Sequence, residues 1–349
     1  MFGEERNKEV PLTLPKQLLA SLLKQALHYN TSDIHIHPFK SGSLIRMRIA
    51  GKLYPFKTLS KEEAEKLILF LKFQSGLDIG EKRLPQSGSF EDQIHHEKIA
   101  LRVSTLPDVS SSESLVLRLF RFNQFIPFLK SSLFPSESSN ILKCCHNHTG
   151  LFLFSGSTGS GKSSSMYGLA KLFLSQKLQS IVTIEDPVEH LNEAFLQIAV
   201  NEKAGLTYSK LIRAVLRHDP DILIVGEIRD QETAEIVIRA ALTGHLVLST
   251  VHADSLSGVL TRLLEFGLPK NHLTQALLGI SHQVLKQLYC PFCGENCSLF
   301  CTHLTEKRTV LYEHATQHET LLSLFSGENC TDGLSIEKQI QKGKCYGFF

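Results

Sequence analysis

The stretch LFLFSGSTGSGKSSS, residues 151–165, decides how this chain is read. An apolar run, Leu151 to Phe154, leads into Gly156, and Gly161, Lys162 and Ser163 complete a G-x-x-x-x-G-K-S spacing before the helix-like SSMYGLAKLFL. A strand before and a helix after are the context in which such a loop wraps phosphates with its backbone amides. Gly156, Ser157, Thr158, Gly159, Ser160 and Gly161 would form the cradle. Lys162 would reach the β and γ phosphates of ATP, and Ser163 would offer a hydroxyl to magnesium.

Around this loop, the apolar segments GLFLFSG, SIVTIED, DILIVGE and HLVLSTVH alternate with helical stretches. That alternation predicts an α/β domain built on a largely parallel sheet. Toward the amino end the pattern changes. LPKQLLASLLKQALHYNTSDIHIHP places Leu14, Gln17, Leu18, Ser21, Leu22 and Gln25 at helical intervals, then alternates through Asp33, Ile34, His35, Ile36 and His37. SLIRMRIAGKLYPF puts Ile45, Met47 and Ile49 on one strand face and Arg46 and Arg48 on the other. KEEAEKLILFLKFQSGL reads as an amphipathic helix ended by Gly76, and the segments from Gln86 to Pro107 and from Glu113 to Phe120 supply further strands. A small α+β domain over residues 1–122 follows, then a linker over 123–140 within the Phe-, Pro- and Ser-rich FNQFIPFLKSSLFPSESSN, then the α/β domain over 141–349. A length of 349 residues independently favours two folded units.

With 42% hydrophobic and 21% charged residues the composition is that of an ordinary globular chain, and a formal net charge of +2 argues against a dedicated nucleic-acid binder. No direct nucleic-acid partner is expected. The amino end lacks an apolar signal core, and no apolar run approaches the roughly 18 residues of a membrane span. These features lead to the expectation of a cytoplasmic protein.

Ligands on open α/β sheets collect just beyond the carboxyl ends of strands. IVTIEDPVEH offers Glu185, Asp186 and Glu189 there, with an acidic surface turn as the bland alternative. HDPDILIVGEIRD carries Gly226 where such strands usually place an aspartate, so Glu227 must supply the negative charge near magnesium. GHLVLSTVHAD sets His245 before a strand and His252 after it.

These four pieces, in this order, resemble the secretion ATPase superfamily of type II secretion and type IV pilus motors. TIEDPVE is similar to its acidic box, GEIRD to its Walker B segment and TGHLVLSTVHAD to its paired-histidine box. SDIHIHP, IRMRIAG, KRLPQSGSF and RVSTLP resemble its amino-terminal signatures. The resemblance implies a small PAS-like α+β domain joined to a RecA-like P-loop NTPase domain, in a homo-hexameric ring. It implies phosphate-contacting arginines at Arg46, Arg48, Arg102 and Arg118, a water-positioning Glu185, a Walker B Glu227, with these two roles exchangeable, and γ-phosphate sensing by His245 and His252. Within the superfamily the chain looks closest to the ComGA-type competence ATPases. That implies an ATP hydrolase at the inner face of the cell membrane, acting on a polytopic membrane platform protein and, through it, on pilin-like subunits of a pseudopilus for DNA uptake. Type II secretion, type IV pilus assembly or retraction, and a DNA-translocating motor are the competing functions.

YCPFCGENCSLFC sets Cys290, Cys293, Cys297 and Cys301 in a C-x2-C-x3-C-x3-C spacing. Longer members of the superfamily bind zinc with two separated C-x-x-C pairs, so this spacing departs from theirs. A helix after Pro291 would align Cys293, Cys297 and Cys301, either as thiolate ligands or as small buried side chains, with His303 as a substitute ligand.

Overall fold

A computed structural model describes residues 14–349 apart from 95–96, 110–111, 122–125, 147–148, 177–178, 189–190, 295–296, 299–300, 302, 305 and 329. The chain divides into two compact units, residues 1–122 and 123–349. The α/β class is borne out, and each unit carries its own sheet.

In the first unit the chain runs α1 (Leu14–His28), β1 (Thr31–Phe39), β2 (Gly42–Ile49), β3 (Lys52–Ser60), α2 (Lys61–Gln74), β4 (Gln86–Ile94), β5 (Glu97–Pro107) and β6 (Glu113–Arg121). The strands pair antiparallel in the order β3-β2-β1-β6-β5-β4. Period-two alternation buries Ile34, Ile36, Ile45, Met47 and Ile49 on one face. On α1 the buried stripe is Leu19, Leu22, Leu23 and Ala26, rotated from the set expected around Leu14 and Leu18. Leu14 is exposed at the very start of the helix, with no preceding turn to pack against.

Helix α2 begins in a capping box: Ser60 Oγ accepts from the Glu63 amide at 3.2 Å, and Glu63 Oε2 accepts from the Ser60 amide at 2.9 Å. Its last turn buries Lys72 completely, and Lys72 Nζ donates to Glu113 Oε1 and to the Glu81 carbonyl, each at 2.7 Å.

The second unit begins with α3 (Phe128–Ser131) and α4 (Pro135–Cys145), so residues expected to form a linker carry helical structure. There follow β7 (Gly150–Ser155), α5 (Lys162–Gln176), β8 (Ile181–Glu185), β9 (Leu196–Ala199), α6 (Tyr208–Val215), β10 (Ile222–Val225), α7 (Gln231–Leu242), β11 (Leu246–Val251), α8 (Leu256–Glu265), α9 (Lys270–Ala276), β12 (Leu277–Gln287), β13 (Arg308–Ala315), α10 (His318–Phe325) and α11 (Ile336–Cys345). The sheet order is β13-β12-β7-β11-β10-β8-β9, parallel throughout except for the β12–β13 pair.

Every residue of β7, β8, β10 and β11 is buried, as expected for parallel strands covered on both faces. Leu151, Leu153, Val182, Leu223 and Val247 pack with α6, α7 and α8, whereas Phe152, Phe154, Ile181, Ile222 and Leu248 pack with α5. Each fully buried large apolar side chain contributes about 1.5–3 kcal/mol, so this two-faced core fixes the strand order.

Replacing Glu113 with Leu leaves the Lys72 ammonium buried without its carboxylate. Loss of one partner of a buried pair costs about 3–5 kcal/mol, and urea unfolding of the purified chain is expected to show a loss of that size in the first unit. A change below about 1 kcal/mol would contradict the pairing.

Candidate active site

The phosphate loop leaves the carboxyl end of β7 and enters α5 at Lys162. A Cβ at Gly156 would lie 2.4 Å from the Gln283 carbonyl oxygen and 2.7 Å from Ser160 Oγ, and Gly156 and Gly161 hold φ of 139° and 89°, so glycine is required at both. Residues 157–159 are exposed at the amino end of α5, where backbone amides lack intrahelical acceptors. Lys162 is buried and its Nζ folds back onto the loop, donating to the carbonyls of Gly156 at 2.8 Å and Ser157 at 3.1 Å. Ser160 Oγ is buried without a hydrogen-bond partner among the described residues. Ser163 sits in the first turn of α5. Exposed amides, a cation and unused hydroxyls fit a nucleotide polyphosphate with its magnesium.

Two residues that the sequence did not single out support this loop. Gln283 on β12, fully buried, donates from Nε2 to the Ser160 carbonyl at 2.7 Å. His282, the residue before it, shares a 3.1 Å hydrogen bond between its Nδ1 and Ser155 Oγ. Burial and the nearby Lys162 depress the His282 imidazole below its ordinary range, against an opposing pull from Glu313 and Asp254.

The acidic groups stand at the ends of β8 and β10. Glu185 is 5% exposed, and its Oε1 accepts from Thr183 Oγ1 at 2.7 Å and from the Tyr167 hydroxyl of α5. Glu227 pairs with Arg229 through Oε1, while its Oε2 lies 3.6 Å from His252 Nε2. Arg229 also reaches Asp186 at 3.4 Å. Burial and then Lys162 hold the His252 imidazole below its ordinary range, so it is neutral at pH 7 and stands beside both the loop lysine and Glu227. Glu189 lies outside the described residues.

His245 does not join them. It precedes β11 whereas His252 follows it, and seven residues of extended chain separate the two by about 23 Å. His245 Nδ1 instead donates to the Ala240 carbonyl at 3.1 Å near the carboxyl end of α7. There it lines a cavity of about 390 Å³ with His146, Asp219 and Asp221 at the opposite edge of the sheet. His245 and His252 therefore lie at opposite edges of the sheet, one at each end of β11.

In the first unit, cross-strand register places Arg48, Asp33, Arg118 and Arg102 in one row across β2, β1, β6 and β5, with Arg46 opposite His35. Asp33, absent from the sequence candidates, is buried and takes Arg118 Nε at 2.7 Å and Arg48 Nε at 3.4 Å. Arg102 Nε donates to Ser87 Oγ at 3.4 Å. All four expected arginines thus share a face, with two of them oriented by a carboxylate.

The cysteine segment forms a separate cluster. Among the described residues after Pro291 there is a turn over 291–293 and no helix before β13, and Cys290, Cys293, Cys301 and His303 have their ligand atoms within 4.8 Å of one another. Cys293 and Cys301 sulfurs are 3.5 Å apart, and His303 Nδ1 lies 3.5 Å from the first and 3.3 Å from the second. Those separations are close to the edges of a tetrahedron with bonds of about 2.0–2.3 Å, so the group fits a metal ion. Burial lifts the Cys290 thiol, but hydrogen bonds from the Cys293 and Phe292 amides and from neighbouring thiols outweigh it and bring it down to about 6. Cys297 is not in the group whose ligand atoms all lie within 4.8 Å of one another, although its thiol hydrogen-bonds with those of Cys290, Cys293 and Cys301 and also donates to the Ser298 carbonyl at 3.5 Å.

Gly226 has a steric cause as well as an electrostatic consequence. A Cβ there would meet the Tyr208 hydroxyl at 3.0 Å and the Ile184 carbonyl at 3.4 Å. Burial and the Glu227 and Asp186 carboxylates push the Tyr208 hydroxyl well above its ordinary value, so it stays protonated. Gly226→Ala is expected to destabilise the second unit by about 1–3 kcal/mol, as overpacking does. Tyr208→Phe should recover much of that loss in the double variant, as read by thermal unfolding; strictly additive effects would contradict the contact.

The comparisons with known proteins agree with this geometry. The family described as Type II/IV secretion system protein matches residues 9–342. The chain is 43% identical to Competence protein ComGA of Bacillus subtilis over 84% of this chain and 83% of that one, and 41% identical to Competence protein ComGA of Halalkalibacterium halodurans over 91% and 92%. It is 38% identical to Type II secretion system protein E of Pseudomonas aeruginosa over 83% of this chain and 57% of that longer protein. Among solved structures, the Legionella pneumophila ATPase DotB superposes with a TM-score of 0.75 at 20% identity, covering 98% of this chain and 95% of that one, a likeness of fold. By the span of the family match and the identity to its curated relatives, the chain belongs to the type II/IV secretion system protein family.

Proposed function

We propose that the chain hydrolyses ATP at the phosphate loop of its second unit, and that six copies form a ring driving assembly of a competence pseudopilus for DNA uptake. The observation that carries the ATPase reading is the convergence of Lys162, Glu185, Glu227 and His252 at one edge of the sheet. The competence reading rests on the 43% and 41% identity to relatives named as competence proteins.

The residues divide the work as follows. Lys162 exchanges its two loop carbonyls for phosphate oxygens, which leaves the loop amides to orient the chain of phosphates. Ser163 and Glu227 would hold magnesium, which supplies neutralising charge on the β and γ oxygens. Glu185 accepts from the hydroxyls of Thr183 and Tyr167 at the end of β8, whereas Glu227 is engaged by the Arg229 guanidinium, and this reading gives Glu185 the attacking water and Glu227 the magnesium. Glu185 therefore accepts the proton of the attacking water, and neutral His252 senses the γ-phosphate. The arginine row of Arg46, Arg48, Arg102 and Arg118 adds positive charge to nucleotide phosphates in the assembled ring, with Asp33 holding Arg48 and Arg118 in position.

Closure and opening of the ring's subunits on a polytopic platform protein at the inner face of the membrane would lift pilin-like subunits. No helix among the described residues is long and apolar enough to cross a membrane. The Cys290, Cys293, Cys301 and His303 group takes a structural zinc in this reading.

Lys162→Ala is expected to lower ATP hydrolysis by at least about a hundredfold and to abolish pseudopilus assembly in cells; normal assembly would overturn the motor reading. Metal analysis of the purified chain is expected to find one zinc per chain, retained in Cys297→Ser and lost in Cys293→Ser and His303→Ala. Loss of zinc in Cys297→Ser with retention in His303→Ala would show a four-cysteine site instead.

A further inference from the structure

One buried polar group beside the site stands between a side-chain amide and a carboxylate. Tyr167 lies four residues after Ser163 on α5, so the helix that begins at the phosphates presents both side chains on one face. Its ring is buried, 1% exposed, and packs against Phe195 in a tilted pair, 5.6 Å between centroids and 39° between planes. Gln197 on β9 donates from Nε2 to the Tyr167 oxygen at 2.8 Å. The orientation of that amide is not free, because Gln197 Oε1 accepts from the backbone N–H of Asn192 at 2.7 Å, and an amide N–H can only donate. The Tyr167 oxygen is therefore already an acceptor on one side. Its single proton goes to Glu185 Oε1, the oxygen that Thr183 Oγ1 also reaches at 2.7 Å.

We propose that Tyr167 is a positioning residue for hydrolysis: its hydroxyl, oriented by Gln197, acts with Thr183 to fix one oxygen of Glu185 and so set the direction from which that carboxylate meets the attacking water. The inference rests on the reading of Glu185 as the base. Two donors on one oxygen fix the rotation of a carboxylate that a single donor would leave free to swing. Burial, reinforced by the Glu185 charge, raises the Tyr167 hydroxyl far above its ordinary value, so it remains a donor throughout the working pH range. The network joins α5, β8 and β9 and reaches Asn192, so it also couples the acidic segment after β8 to the helix that starts at the phosphate loop.

The test compares Tyr167→Phe, Glu185→Gln and the double variant in the full chain, with kcat and KM for ATP and the affinity for a fluorescent ATP analogue with magnesium. Phe keeps the ring packing and removes only the hydroxyl. The expected result is a fall in kcat of about tenfold to a hundredfold in Tyr167→Phe, with KM and analogue affinity within about twofold of the parent. The double variant should be no slower than Glu185→Gln alone, because a group that acts through Glu185 has nothing left to position. A parent-like kcat in Tyr167→Phe beside an inactive Glu185→Gln overturns the positioning role alone. A further fall in the double variant, matching the single-variant factor, overturns it in favour of a general packing role. A fully active Glu185→Gln overturns the reading of Glu185 as the base, and this inference with it.

Discussion

Parallel pairing of β7, β11, β10 and β8 is the constraint on which the site depends. The register sets Ser155 opposite Val251, Ser249 opposite Val225 and Val225 opposite Ile184, so the four strands end nearly level. Each is buried on both faces, and a slip of one residue would turn Phe152 and Phe154 toward the wrong helices. The next residue or two of each strand then emerge at one edge as Gly156, His252, Gly226 with Glu227, and Glu185. The core that holds the sheet together thus also sets the spacing of the groups that meet a nucleotide.

The same constraint explains how much could be read from the sequence. The phosphate loop, the α/β alternation and the strand-end carboxylates are local patterns, in which a few consecutive residues carry both the structure and the chemistry. Tyr167, Gln283 and His282 are different. His282 reaches Ser155 from a strand 127 residues away, and nothing in the local spacing of β12 announces that β12 lies beside β7. Asp33 was visible as part of an alternating strand, but its role as the shared partner of Arg48 and Arg118 appears only once β2, β1 and β6 are aligned. His245 and His252 flank one strand, and the strand's length holds them at opposite edges of the sheet.

Gly226 shows sterics and electrostatics acting on one position. The Tyr208 hydroxyl fills the room that a side chain there would need, and the negative charge moves one residue on to Glu227, where Arg229 and His252 meet it. Two glutamates then stand in unlike surroundings: Glu185 among hydroxyls, Glu227 beside a guanidinium. Those unlike surroundings are the ground for giving the two glutamates unlike roles, one at the attacking water and one at magnesium.

The most direct test of this division is single-turnover phosphate release by Glu185→Gln and Glu227→Gln across a magnesium titration. The account predicts that Glu185→Gln stays at least about a hundredfold slow at every magnesium concentration, whereas Glu227→Gln regains rate as magnesium rises. Rescue of Glu185→Gln by magnesium, with Glu227→Gln inactive throughout, would contradict it.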